Sequence, residues 1–76
     1  MKINYDPEAD AIYIEFLKHQ AVDNIDLNND VSVDLDKNNK IIGIEILRAS
    51  ANLKKELFHL EFTQIPRRQS VRTITL

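Results

Sequence analysis

The side chains best placed for chemistry in this sequence are carboxylates. Their densest arrangement, Asp34-Leu35-Asp36-Lys37-Asn38-Asn39 followed by Glu45, has the spacing of a calcium-binding loop. Oxygen donors at the first, third, fifth and twelfth positions are what an EF-hand offers Ca²⁺, and Ile41 falls at the apolar eighth position; only the turn glycine is replaced, by Asn39. A second group, Asp6, Glu8 and Asp10, surrounds Pro7. It would suit a divalent cation or acid–base work, which makes a metal-dependent enzyme one reading of the chain. A turn built from Asp and Pro is the plainer account and requires no site. His19 and His59 have no partner at ligand spacing and no nucleophile pattern nearby, so surface or half-buried structural roles are expected of both. Arg67, Arg68 and Arg72 lie in a C-terminal stretch without acids and are candidate partner-binding residues. They suit phosphate or the acids of a partner protein equally well, and no aromatics flank them to single out nucleic acid. No catalytic, cofactor-binding or metal-binding residue is assigned.

The elements that must hold these groups begin with residues 30–50, which read as a β-hairpin. Val31, Val33 and Leu35 alternate with Ser32, Asp34 and Asp36; after Asn38-Asn39, Ile42, Ile44 and Ile46 alternate with Gly43, Glu45 and Leu47. A loop of even length sets Leu35 opposite Ile42, Val33 opposite Ile44 and Val31 opposite Ile46, so that all six share one buried face. Asn38-Asn39 then stands in for the Asn-Gly of a type I′ turn. A three-residue loop with Asn39 in the left-handed conformation would mix charge into that face and is rejected. The opposite face, with Ser32, is expected to be solvated. Gly43 falls there opposite Asp34, where a glycine within a strand suggests that something packs close, such as a neighbouring subunit. Strand periodicity also argues against the calcium site. An EF-hand needs helices on both sides, and in the hairpin Asn38 lies about 13 Å further along than Asp34 and Glu45 at ~3.3 Å per residue.

Before the hairpin, residues 2–5 and 11–17 alternate at period two and read as strands. They are joined by a turn in which Pro7 pre-sets φ and Asp6 accepts from backbone N–H groups ahead of it. Residues 18–30 are polar and punctuated; Val22, Ile25 and Leu27 would allow a short edge strand or an extended loop, and a loop is expected. Ser50 has the chemistry of a helix N-cap, and Leu53, Leu57 and Leu60 follow at i, i+4, i+7 as a stripe for the apolar sheet face. No Glu or Gln completes a capping box, and the helix must end before Pro66. The segment after it turns basic and β-branched, with Val71, Thr73, Ile74 and Thr75 suited to a strand.

A chain of 76 residues is one domain, and one this small buries only about 60% of its unfolded surface, so help from a partner subunit is expected. Cysteine is absent, which removes disulfides, thiolate metal sites and a Cys nucleophile and fits a reducing cytoplasm. The polar N-terminal residues and the lack of a long apolar run give no signal peptide and no membrane span. A net charge of -2 argues against a general nucleic-acid binder.

Three blocks in order resemble the DUF2283 family, small bacterial and archaeal domains of unknown function. They are Tyr5-Asp6-Pro7-Glu8-Ala9-Asp10-Ala11 with Ile12-Tyr13-Ile14; Val33-Asp34-Leu35-Asp36; and Ile42-Gly43-Ile44-Glu45-Ile46-Leu47 with Ala49-Ser50. The resemblance implies a small antiparallel sheet with a C-terminal helix and no agreed catalytic residue. Some members look like the smaller partner of toxin–antitoxin-like pairs, so an antitoxin-like or nucleic-acid-contacting role through the basic tail stands as an alternative. The chain departs from the family pattern at Asn39, where Gly is common, and at Arg48, where an acidic residue is usual.

The fold expected is α+β: three to four antiparallel strands with one C-terminal helix packed on one face, residues 1–66 forming the domain and residues 67–76 a tail that completes a subunit interface. The function expected is that of a non-enzymatic interaction module, a homodimer by preference, without cofactor. Calcium at millimolar levels should leave the melting temperature and the amide spectrum unchanged. A saturable shift at Asp36, Asn38 and Glu45 would overturn the hairpin argument.

Overall fold

A computed structural model describes residues 1–65 of the chain. The strand expected in residues 71–75, and Arg67, Arg68 and Arg72, lie outside the described residues. Five strands, β1 (Lys2–Asp6), β2 (Ala11–Glu15), β3 (Asp23–Asp26), β4 (Val31–Leu35) and β5 (Ile41–Ile46), form one antiparallel sheet in the order β1-β2-β5-β4-β3. A short helix, α1 (Ala49–Leu53), and a 3₁₀ segment, Lys54–Phe58, follow. The α+β class is as expected, but the sheet has five strands rather than three or four. The order β2-β5-β4-β3 is a Greek key read from its C-terminal end. The connection from β2 to β3 is tied down as it crosses: the Phe16 and Leu17 amides both donate to the Ile42 carbonyl, at 2.8 and 3.2 Å, and the Val22 amide donates to the Leu35 carbonyl at 2.9 Å.

The fifth strand is β3, in the stretch expected to be a loop. Its local propensity is poor and all four of its residues are exposed. Pairing supplies what propensity lacks. Ile25 is set against Val33, and the Asn24 side-chain amide donates to Asp34 Oδ1 at 2.8 Å and to Ser32 Oγ and the Val33 carbonyl at 3.3 Å. The Asn28 carboxamide oxygen accepts from the Asp30 and Val31 amides, both at 2.8 Å, and so closes the β3–β4 turn. Asp6 does the same at the β1–β2 turn, its Oδ1 accepting from Glu8 and Ala9 as its place before Pro7 suggests.

The β4–β5 hairpin contains both of the registers weighed above. Its loop is the three-residue kind that the apolar pattern argues against: Asn39 N–H bonds the Asp36 carbonyl, Asp36 N–H bonds the Lys40 carbonyl, and Asn39 alone is left-handed, with φ 63°. Leu35 accordingly pairs with Ile41, not Ile42. One step later a β-bulge at Ile42 corrects the count. Asp34 faces Gly43, Val33 faces Ile44 and Val31 faces Ile46, as the buried pattern demands. Ile42, the extra residue, is the most deeply buried strand side chain at 2% exposure, whereas Ile41 is 53% exposed.

Across the sheet the register builds two apolar rows on one face. Ile3, Ile14, Ile44, Val33 and Ile25 stand side by side through all five strands; Tyr5, Ile12, Ile46 and Val31 stand side by side through four. In the second row Tyr5 meets the Phe58 ring edge-on at 5.7 Å, and Ala49 at the start of the helix is fully buried. The expected helix with a Leu53-Leu57-Leu60 stripe is not formed. The α-helix stops at Leu53 because Lys54 adopts φ 54°, ψ −132°; Leu53 and Leu57 are half-buried and Leu60 is exposed. Its N-cap is Arg48, left-handed at φ 46°, rather than Ser50. No helix among the described residues is long and apolar enough to cross a membrane.

The opposite face is also corrected. Ser32, expected to be solvated, is buried beside Asn24, and Gly43 is buried under Tyr13. Among the described residues the buried apolar side chains are Ile12, Val33, Leu35, Ile42 and Ala49. Ile42→Ala should therefore cost about 2–5 kcal/mol in urea unfolding, through lost contact and a cavity. Ile25→Ala, at 44% exposure, should cost no more than about 1 kcal/mol. Equal costs would refute the placement of Ile42 in the core.

Candidate functional site

Four polar clusters and one apolar surface are candidates. The first cluster centres on Asp10, which the β1–β2 turn holds at φ 51°. Its carboxylate accepts from the Tyr5 hydroxyl at 2.7 Å, the Ser50 hydroxyl at 2.6 Å and the Ser50 amide at 3.1 Å, while its carbonyl accepts from the Ala49 amide at 2.8 Å. Asp10 thus caps α1 from across 40 residues of chain. The Ser50 hydroxyl, then that of Tyr5, holds the carboxyl below the usual carboxylate range, and the bond to Asp10 raises the Tyr5 phenol in turn. Asp6, Glu8 and Asp10 are therefore not gathered into one site. Asp6 is committed to its own turn, Asp10 to the helix, and Glu8 is exposed.

The second cluster joins Asp30 to Arg48. The guanidinium donates from Nε at 3.0 and 3.2 Å and from Nη2 at 2.5 Å, and Asn52 Nδ2 adds a contact at 3.2 Å. Arg48 lowers the Asp30 carboxyl, and Asp30 raises the guanidinium. The basic residue that departs from the family pattern thus clasps the β3–β4 turn to the start of the helix.

The third cluster lines a cleft of 350 Å³ between the β2–β3 connection and the β4–β5 loop, formed by His19, Gln20, Val22, Asp36, Lys37 and Asn38. Asp36 is only 5% exposed. Its Oδ1 accepts from the Asn38 and Lys40 amides at 2.9 and 3.0 Å, and its Oδ2 lies 2.9 Å from His19 Nδ1. His19, followed by the Lys40 amide, holds this carboxyl below its ordinary range. His19 Nδ1 thus meets the carboxylate and Nε2 is the ring nitrogen left without this contact. The lining of the cleft has no Ser, Thr, Tyr or Cys. Asp36 carries the loop and pins the crossing connection to it.

The fourth cluster covers the polar face. The Tyr13 hydroxyl donates to Asp34 Oδ2 at 2.9 Å, and burial, then this bond, pushes its pKa up to about 12. A Cβ at position 43 would overlap the phenol. What packs on Gly43 is therefore Tyr13 of the adjacent strand in the same chain. The calcium-like pattern does not converge: Asp34 is bonded to Tyr13 and Asn24 on this face, with Glu45 exposed and diagonal to it across the β4–β5 pair, and Asp36 is turned into its loop. Among the described residues no three His, Cys, Asp or Glu side chains stand together as a metal site. His59 Nε2 lies 3.5 Å from Glu61 Oε2.

The apolar surface comprises the row from Ile3 to Ile25 and the segment after the helix. Ile3 and Ile25 are exposed and Ile14 and Ile44 half-buried, while Phe58, Leu60, Phe62 and Ile65 are 67 to 88% exposed. The expected stripe named Leu60 but placed it against the sheet, and the pairs Asp10–Ser50 and His19–Asp36 were missed altogether. No local spacing signals a bond between residues 40 or 17 apart.

The sequence model of a family described as "Protein of unknown function (DUF2283)" matches residues 2–50, from β1 to the start of the helix. No curated protein and no solved structure matches the chain.

The lowered Asp10, Asp30 and Asp36 carboxyls set an acid limit. Because their folded pKa lies below the unfolded value of about 3.9, the stability they add is complete above that value and is lost as pH falls through the folded values. The melting temperature should hold at mildly acidic pH and drop below about pH 4. Asp10→Asn should lower it near neutrality, with the gap to wild type narrowing as pH falls below the unfolded carboxyl value of about 3.9. A gap that stays constant with pH would show that the Asp10 charge does not contribute.

Proposed function

The chain belongs to the DUF2283 family, which supplies no activity to inherit, and we propose that it is a non-enzymatic protein-interaction module acting as a homodimer in a reducing cytoplasm. The observation that carries this reading is the amount of large apolar surface left in solvent by a domain with so few buried apolar side chains. Contiguous exposed apolar surface marks an interaction site, and a core this small gains stability from association. Four of the candidate carboxylates, Asp6, Asp10, Asp34 and Asp36, are instead occupied in holding turns, helix and strands. Charge supports a second contact between copies. All twelve acids precede residue 62, while Arg67, Arg68 and Arg72 follow it, so the tail of one copy complements the acidic domain of another.

Sedimentation over a range of concentrations should give a monomer–dimer equilibrium, and the melting temperature should rise with protein concentration. Truncation after Pro66 should weaken the dimer in a way that salt mimics in the full chain. A monomer at every concentration would refute the proposal. A truncated chain that dimerises as well as the full one would free the arginines for another task, and the antitoxin-like or nucleic-acid-contacting reading would replace the tail's role here.

A further inference from the structure

We infer that β1 is the edge at which two copies of this chain join, each pairing its Lys2–Asp6 strand antiparallel with the other's across a two-fold axis at Asn4. The inference rests on the homodimer reading and names the surface that forms it. The sheet ends in two edge strands, β1 and β3. An edge strand offers a row of unpaired N–H and C=O groups, which a second strand in the right register can take up.

Register decides between the two edges. Residues set opposite each other in an antiparallel pair share one face of the sheet, so the apolar face continues into a second copy only when apolar positions oppose apolar positions. In β1 the register that pairs all five residues meets this condition. It sets Ile3 against the second copy's Tyr5, Asn4 against its Asn4 and Lys2 against its Asp6. β3 fails the same test. Its full-length register sets Asp23 against Asp26 and Asn24 against Ile25, so like charges meet and the two faces cross. Joining β1 of one copy to β3 of the next would leave an edge free at each end and propagate, whereas β1 on β1 closes as a pair.

The charges that meet at β1 are complementary, and both side chains are exposed. Among the described residues Lys2 forms no ion pair, although Glu15 stands opposite it on β2. Asp6 uses Oδ1 for the Glu8 and Ala9 amides, at 3.0 and 3.3 Å, so Oδ2 is the oxygen that can meet a cation. Exposed ion pairs add little affinity, so these charges fix the register while main-chain hydrogen bonds supply the attraction. On the other face Ile3, 39% exposed, comes to lie beside the second copy's Tyr5, the ring that meets the 82% exposed Phe58 edge-on. Each copy thus sets its Tyr5–Phe58 pair beside the other's Ile3. The contact is small, and the dimer is of the weak, concentration-dependent kind.

The test uses the full-length protein. Lys2→Glu turns two complementary pairs into two repulsive ones, so the dimer dissociation constant in sedimentation should rise about tenfold. The amide spectrum of the dilute variant should remain that of the folded sheet. Asn4 stands on the axis, where directly opposed Cα atoms are about 4.5–5.5 Å apart, within the span of a disulfide. With no cysteine elsewhere in the chain, Asn4→Cys should oxidise to a covalent dimer, and Ile25→Cys on β3 should cross-link only at the rate of random collision. A wild-type monomer at every concentration would refute the dimer and the edge together. A wild-type dimer that Lys2→Glu leaves equally tight, or an Asn4→Cys variant that cross-links no faster than Ile25→Cys, would refute the edge alone and leave the dimer to another face.

Discussion

Register in the β4–β5 hairpin is the constraint on which the rest of the structure depends. β5 is the central strand and pairs on both sides, so a slip of one residue there would turn every side chain it aligns to the wrong face. The loop from Asp36 to Lys40 imposes an odd count and the apolar pattern requires an even one. The bulge at Ile42 reconciles them, burying the extra residue and placing its carbonyl where the β2–β3 connection can use it. The Greek-key crossing thus rests on the same irregularity that corrects the register.

A single sheet with one short helix has little apolar volume to enclose, and long-range polar bonds do much of the work that a second layer would do. Asp10 holds the helix to the first turn, Asp30 holds Arg48 and Asn52 to the third, and Asp36 holds its own loop and His19. Each carboxylate meets several donors, which makes each bond to it stronger than a neutral one. The same occupation explains why acidic spacing was a poor guide to chemistry here. Groups that look like ligands along the chain are separated in space by the strands that carry them.

What was legible in the sequence is what short-range physics decides. Period-two alternation located β1, β2, β4 and β5; Asp6 before Pro7 marked its turn; Gly43 signalled a close neighbour. β3 was not legible, because Asp23–Asp26 is stabilised by Asn24 and Ile25 meeting β4 rather than by its own propensity. The helix was overextended for the opposite reason: Leu53, Leu57 and Leu60 have the right spacing, yet the left-handed turn at Lys54 interrupts them. Of the candidate site, the carboxylates were named correctly as residues, but their partners lie 17 to 40 positions away and leave no trace in local pattern.

The two faces of the sheet differ in a way that bears on function. On one, Tyr13 lies over Gly43 and joins Asp34, and Asn24 joins Asp34 to Ser32, so the polar groups are satisfied within the chain and the face is closed. On the other, Phe58 of the 3₁₀ segment that follows the helix meets Tyr5 edge-on, and Ile12 and Val33 are buried. The positive φ at Lys54 ends the α-helix, and Leu60 and Phe62 beyond it are exposed. That one backbone conformation fixes where the helix ends and which apolar side chains beyond it lie outside the sheet's own packing.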